Sequence, residues 1–296
     1  MMKIAIAVHG GAGENSLFLQ KNGQETENGL AEACQSGYRI LQRGGTALDA
    51  VEEAVRFLED NPLFNAGRGS ALNAKGEVEM DASIMDGRSL KAGAVSMVRN
   101  VKNPVTLARV IMNETSHVLL SGYGAFDFAQ QEGLCLRPDS YFITNNQYED
   151  YENLLNQQQI TKMHGTVGAV ALDQKGHLAA ATSTGGTSHC LPGRVGDSCI
   201  IGAGCYANDK GCAVSGTGEG EYLITGVIGH TISMMTEFDM PLQQACEQVI
   251  HERNKGKGEI GVIALNPRGE IGMTFNTEVM KRAWIDINGQ LHVAIK

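Results

Sequence analysis

The sequence predicts an α+β fold or a layered α/β sandwich with mostly antiparallel sheet. Three observations carry this. The second half opens and closes with apolar hairpins: "VGAVALDQKGHLAAATSTGG" turns at Gln174-Lys175-Gly176, and "GEIGVIALNPRGEIGMTFNT" turns at Asn266-Pro267-Arg268-Gly269. Two helical stretches, about 221–236 and 241–252, lie between the hairpins, so strands and helices are grouped. No βαβ alternation long enough for a nucleotide-binding fold is evident.

The first half supplies the remaining elements. Lys3 to Val8 reads as a buried strand ending at His9-Gly10-Gly11. From about Thr26 to Gln42, Leu30, Ala33, Cys34, Tyr38 and Leu41 fall at helical spacing, and Gly44-Gly45 stops the helix. Thr46 with Asp49 offers an N-cap for a second helix, Ala47 to about Leu58. A loop, "DNPLFNAGRGSALNAKG", leads to strands at about 77–85 and 92–98. Asn103-Pro104 starts a helix to about Met112, since proline at the first helical position loses no hydrogen bond. A short strand at 117–120 and a helix at 124–131 follow. From about Pro138 to His164 the periodicity disappears, and this polar stretch is expected to be structureless and open to cutting.

Composition narrows the function. With 296 residues, 42% hydrophobic and 19% charged, the chain can bury an ample core. Its net charge of −9, without a Lys/Arg-rich run, argues against nucleic acid, which is bound through clustered cations. The apolar run before His9 is too short for a signal peptide, and nothing later approaches the roughly 18 apolar residues of a membrane span, so a cytoplasmic protein is expected. The 7 scattered cysteines read as buried free thiols in a reducing compartment.

Several chemistries lack their signatures. "GTGEGE" has Glu221 where a dinucleotide fingerprint needs its third glycine, and there is no G-x-x-x-x-G-K-[ST]. There is no H-x-x-x-H, no C-x-x-C and no G-x-S-x-G elbow. His9 beside two glycines reads as a turn-stabilising residue rather than a catalytic one. Gly165-Thr166 offers a different route. A threonine hydroxyl needs a base, and the residue's own α-amine, with a pKa of about 7.7–8.0, can serve once the preceding bond is cut. That cut requires a small residue before the threonine and a yielding segment upstream, and both are present. The spacing of Arg194 and Asp197 in "PGRVGD" suits the carboxylate and ammonium of a free amino-acid end, as it would a surface ion pair.

The strings "HGGAG", "PLFNAGRG", "HGTVGAVALD", "TSTGG", "LPGRVGDS", "GAGCYA" and "GTGEGE", in order from about Lys3 to Trp284, resemble those of plant-type asparaginases. These are the isoaspartyl aminopeptidases of the N-terminal-nucleophile hydrolase superfamily. The resemblance implies a four-layer αββα sandwich, a single domain over 1–296 that cuts itself into 1–165 and 166–296, and hydrolysis of asparagine and β-aspartyl peptides. It implies Thr166 as nucleophile after cleavage behind Gly165, Thr184 orienting it, Asn65 nearby, and Thr217 with the Gly218 N–H holding the oxyanion. Arg194 would grip a substrate α-carboxylate and Asp197 the α-ammonium, with help from Gly220. The chemistry would need no cofactor, but a structural sodium ion would be held by backbone carbonyls of Leu58, Glu59, Asn61, Phe64, Ala66 and Arg68. Small-molecule or dipeptide substrates and a dimer of cleaved protomers, an (αβ)₂ heterotetramer, follow from the same likeness. Neither nucleic acid nor membrane is expected as a partner.

Three departures from the family pattern stand out: Glu219 beside the oxyanion threonine, the Thr187–Cys190 stretch after the paired glycines, and Gly165 where glycosylasparaginases carry Asp. The last favours the plant-type branch over glycosylasparaginase. A precursor that never cleaves and only binds is the reading from a different class.

Overall fold

The computed structural model describes residues 3–156 and 165–296. In the first half it contains β1 (Ala5–Gly13), α1 (Leu17–Lys21), α2 (Gly23–Gln42), α3 (Ala47–Asp60), β2 (Met80–Asp86), β3 (Ala92–Val98), α4 (Pro104–Glu114), β4 (Leu119–Ser121), α5 (Gly122–Gln131), α6 (Asp139–Phe142) and α7 (Asn145–Leu155). The second half contains β5 (Val167–Leu172), β6 (Leu178–Thr184), β7 (Cys205–Ala207), β8 (Ala213–Gly218), α8 (Gly220–Gly226), α9 (Ile228–Glu237), α10 (Leu242–Glu247), β9 (Ile260–Leu265), β10 (Ile271–Phe275), β11 (Val279–Ile285) and β12 (Leu291–Ala294). One 3₁₀ turn, Asp197–Cys199, follows β6, and a π-helical turn, Gln248–Arg253, extends α10.

Two sheets stack face to face. The larger has eight strands in the order β12-β11-β1-β5-β6-β2-β3-β4, and the smaller has four, β10-β9-β8-β7. Among the described strands the β3–β4 pairing is parallel and the others are antiparallel. Three apolar layers cement the sandwich. Leu30, Val51, Val55 and Leu58 of α2 and α3 pack on Ile6, Val8, Val167 and Ala169. Ala7, Val170 and Ala180 meet Ala213, Ile263 and Leu265 between the sheets. Val214, Val262 and Ala264 on the far face of the smaller sheet meet Leu223, Ile232, Leu242 and Ile250. This is the αββα order, and each strand of the interior is buried on both faces, which is why β5 and β9 read as unbroken apolar runs.

Local chemistry accounts for the boundaries. The Thr46 hydroxyl accepts from the Asp49 N–H at 3.1 Å, capping α3 and contributing about 1 kcal/mol. Pro104 opens α4 as expected. The helical stretch expected over 221–236 is instead two helices, broken at Val227, whose φ of +47° lies in the left-handed region. β1 does not end at His9: it passes through a bulge and runs to Gly13.

The stretch after Pro138 also departs from expectation. Through residue 156 it is two short helices, not a structureless loop. Thr144 caps α7 by accepting from the Gln147 N–H at 3.3 Å, and the Gln147 side chain donates to the Gly69 carbonyl at 2.8 Å. Phe142 is fully buried. α7 is thus anchored by one buried amide rather than by an apolar stripe, so helical periodicity does not reveal it. The part of the expected open stretch from 157 to 164 lies outside the described residues.

Candidate active site

Thr166 stands one residue before β5, in the middle of the larger sheet, and is buried. β6 beside it ends on Thr184, whose hydroxyl lies 3.4 Å from the Thr166 hydroxyl and donates to the Gly165 carbonyl at 3.0 Å. Asn65 supplies a second donor to that carbonyl, its amide nitrogen lying 2.9 Å away. The Asn65 side chain is itself fixed: it also donates to Gly186 O at 2.7 Å and accepts from the Ala71 N–H at 2.8 Å. So the carbonyl before Thr166 is polarised by two buried donors, next to a hydroxyl able to attack it.

The opposing sheet brings Thr217. It is fully buried on β8 and accepts from the Ala12 N–H at 3.2 Å, which leaves its own proton to donate elsewhere. Gly218 follows with φ of +115°, and a Cβ there would stand 2.3 Å from the Glu259 carbonyl. Only glycine is compatible with both conditions. The Glu219 carboxylate accepts from the Glu259 N–H at 3.0 Å, which fixes its position without removing its charge.

Arg194 and Asp197 meet around Gly220. A Cβ on Gly220 would lie 2.7 Å from Asp197 Oδ1 and 2.9 Å from Arg194 Nη2. Arg194 is 17% exposed and directs Nε and Nη2 at Glu221 Oε1, at 3.0 and 2.9 Å. Asp197 is buried, and its Oδ2 has no hydrogen-bond partner among the described residues. Burial pushes its carboxyl up to about 7; Arg194 acts against the rise, while Asp81 and Glu221 add to it. A buried carboxylate oxygen with spare acceptor capacity is what an ammonium ligand would use.

Three residues at the site carry no signal in the sequence. Asp81 of β2 accepts from Gly196 N at 2.8 Å and Met97 N at 2.9 Å, tying the Arg194–Asp197 segment to the larger sheet. Burial raises Asp81 to about 6, against these two hydrogen bonds. His9 is no turn residue: it is fully buried, lies 2.8 Å from Ser215 Oγ, and Ser215 lies 2.7 Å from Thr182 Oγ1. Burial lowers His9 to about 3, so the ring is neutral and serves as a strut between the sheets. Lys281 of β11 reaches toward Gly11, and desolvation lowers it to about 8. Each depends on partners more than a hundred residues away or on a bulge, which no local pattern records.

The 58–68 loop is closed by its own backbone. Arg68 N donates to Glu59 O at 2.7 Å, Asn61 N to Leu58 O at 3.2 Å, Phe64 N to Asn61 O at 3.2 Å, and Ala66 N to Phe64 O at 3.0 Å. Each carbonyl keeps a second lone pair. Gly67 and Gly69 have positive φ, and a Cβ on them would come within 2.4 Å of Glu59 O and 2.7 Å of Phe64 O. The close passage of the chain over the Glu59 and Phe64 carbonyls therefore needs the glycines. Glu59 itself is buried, with one oxygen accepting from Ser183 Oγ at 2.6 Å and Val105 N at 3.0 Å, and burial raises it to about 8.

A family model described as "Asparaginase" matches residues 2–295. The chain is 44% identical to an isoaspartyl peptidase of Salmonella typhimurium, covering 96% of each. It is 42% identical to an isoaspartyl peptidase of Escherichia coli, over 96% of this chain and 93% of the relative. An isoaspartyl peptidase/L-asparaginase of Danio rerio is 42% identical, over 98% of this chain and 94% of its own length.

Proposed function

The chain belongs to this asparaginase family, and we propose that it frees Thr166 by cutting its own Gly165–Thr166 bond and then releases aspartate from asparagine and β-aspartyl peptides. The observation that carries the reading is the Gly165 carbonyl, held by Thr184 at 3.0 Å and Asn65 at 2.9 Å beside the Thr166 hydroxyl.

Thr166 Oγ adds to the Gly165 carbonyl carbon, its proton passes to the departing Thr166 nitrogen, and the C–N bond breaks to leave an ester. Water then opens the ester, giving a Gly165 carboxylate and a free Thr166 amine. In the resulting two-chain protein, 1–165 and 166–296, the amine takes the Thr166 hydroxyl proton as Oγ attacks a substrate's side-chain carbonyl. The Thr217 hydroxyl and the Gly218 N–H receive the developing oxyanion, a role worth roughly 3–4 kcal/mol per donor. The amine, now protonated, passes its proton to the leaving nitrogen, and water releases aspartate from the aspartyl ester. Arg194 holds the substrate α-carboxylate, and Asp197, with Gly220 leaving room for it, holds the α-ammonium.

The 58–68 carbonyl cradle is proposed to hold sodium, which would fix the loop carrying Asn65 and takes no part in the chemistry. Its test is a higher melting temperature in sodium than in a salt of a bulky organic cation. Cleaved protomers are proposed to pair as (αβ)₂ dimers in the cytoplasm, which the solution mass checks for the dimer. Among the described residues no helix is long and apolar enough to cross a membrane.

Mass spectrometry of the purified protein under denaturing conditions tests the reading. Two fragments meeting between Gly165 and Thr166, and a single full-length mass for Thr166→Ala, are expected. A wild-type chain that stays whole after long incubation overturns it.

A further inference from the structure

Resting on the proposed hydrolase reading, we infer that Lys281 selects the leaving group by pairing its ammonium with the α-carboxylate of the residue that departs from a β-aspartyl dipeptide.

The bulge in β1 places this side chain. His9 pairs with Arg282 and Ala12 with Met280, so Gly10 and Gly11 together stand opposite Lys281 alone. A bulge of this kind bends its strand and re-aims side chains. Gly11 has φ of +103°, and a Cβ on it would stand 3.0 Å from Gly165 Cα, 3.3 Å from the Thr166 nitrogen and 3.4 Å from Lys281 Nζ. The ammonium and both sides of the scissile bond thus converge on one point that only a glycine leaves open.

The position relative to the amino-acid handles decides what the ammonium meets. The segment carrying Arg194 and Asp197 is tied to β2 through Gly196–Asp81 and through the Ser83 hydroxyl on Ser198 O, at 2.8 and 2.6 Å. In the larger sheet β6 and β2 lie on one flank of β5, and β1 and β11 on the other. A substrate whose aspartyl end is gripped at Arg194 and whose side-chain carbonyl lies at Thr166 therefore extends its leaving group toward the flank that carries Lys281.

The ammonium is also unclaimed within the described residues. No carboxylate forms an ion pair with it, and desolvation alone lowers it to about 8. A partly buried cation without a counter-charge gains most from an anion that brings one. The departing residue of a β-aspartyl dipeptide carries such a carboxylate. The leaving group of asparagine is ammonia, which carries none, so Lys281 would separate the two substrates.

The test compares kcat/KM for a β-aspartyl dipeptide with a free C-terminus, the same dipeptide as its C-terminal amide, and asparagine. On wild-type protein the amide should be about 10-fold poorer than the acid, the size expected for one charge-assisted hydrogen bond. Lys281→Met should lower the ratio of dipeptide to asparagine activity by about the same factor, and should abolish the discrimination between acid and amide. Lys281→Arg should restore part of it. Equal rates on acid and amide by the wild-type enzyme overturn the inference, even if Lys281→Met fails to fold or cleave. Parallel losses on dipeptide and asparagine in Lys281→Met overturn it too, since they would assign Lys281 to the common chemistry. A wild-type protein that stays whole and hydrolyses neither substrate refutes the hydrolase reading instead, and the inference with it.

Discussion

The surroundings of Thr166 and those of Arg194 are built from different materials. The hydrogen bonds around the nucleophile are made by neutral groups: hydroxyls of Thr166, Thr184 and Thr217, the Asn65 amide, and backbone carbonyls and N–H groups, with the Lys281 ammonium as the one charge nearby among the described residues. Around the amino-acid handles four charges crowd together, Arg194, Asp197, Asp81 and Glu221. The hydroxyls and the amide of the first set keep one protonation state at any ordinary pH and can be preorganised for a reaction, whereas the amine that cleavage would free at Thr166 is the group meant to titrate. The second set shifts with pH and with ligand, because buried carboxylates beside one another cannot all remain ionised. Chemistry is placed where geometry is rigid and recognition where charge can be traded.

The contrast breaks most sharply if neutral contacts turn out to be dispensable. Asn65→Ala removes one of two donors from the Gly165 carbonyl and is expected to slow self-cleavage by about 10²–10³, the loss seen for single oxyanion donors. The half-life of the full-length mass in freshly purified protein checks this. Thr184→Val, which deletes the other donor while keeping the side-chain shape, should fall in the same range, about 10²–10³. A variant that cleaves at the wild-type rate would mean that strain, rather than polarisation, drives the step.

These neutral contacts also show what could be read from the chain. The hairpins around β5–β6 and β9–β10 were legible because strand alternation and Gly/Pro turns are local. So was the Thr46 cap of α3, while the family strings mark the residues from Gly165 to Gly220 by resemblance alone. Val227 at positive φ was not, since a β-branched residue at a helix break contradicts its own propensity. The same holds for β8, whose strand character is masked by the glycines at 216 and 218 that its close approaches to Leu223 and Glu259 require. Asp81, His9 and Lys281 escaped for a topological reason. Their partners, Gly196, Ser215 and Gly11, lie 115, 206 and 270 residues away, and only sheet order brings them together.

The charged region is tested by pH. Asp197 has its folded pKa raised, so in the empty enzyme it is neutral below about 7 and gains its charge as pH rises through that value. A substrate ammonium needs the charged form. Affinity for aspartate, a ligand that cannot be turned over, should therefore weaken about tenfold per pH unit below about 7 and level off above it. The ammonium of aspartate stays protonated across that range, so the ligand contributes no slope of its own. Calorimetric titration from pH 5.5 to 8 measures it, and Asp197→Asn should bind weakly at every pH. A flat profile in the wild-type protein would mean that the carboxylate is already ionised at low pH, held by Arg194 more strongly than burial opposes it. The sign for stability runs the other way. Because the folded state holds this proton more tightly than the unfolded chain, Asp197 costs stability as pH rises through the interval from 3.8 to about 7.

Glu221 gives the smallest effect and the finest discrimination. Its carboxylate is 64% exposed and meets Arg194 through a single oxygen, so solvent screens the pair and its contribution to stability should stay below about 1 kcal/mol. Glu221→Gln keeps the shape and a hydrogen-bond acceptor for Arg194 but removes one of the negative charges that raise Asp197. The acid limb of aspartate binding should then move toward lower pH, while KM at pH 8 changes less than about threefold, in keeping with an exposed pair. If the limb stays in place but KM rises at every pH, Glu221 orients the guanidinium rather than tuning its neighbour. Charge would then serve geometry on this side of the site as the hydroxyls do on the other.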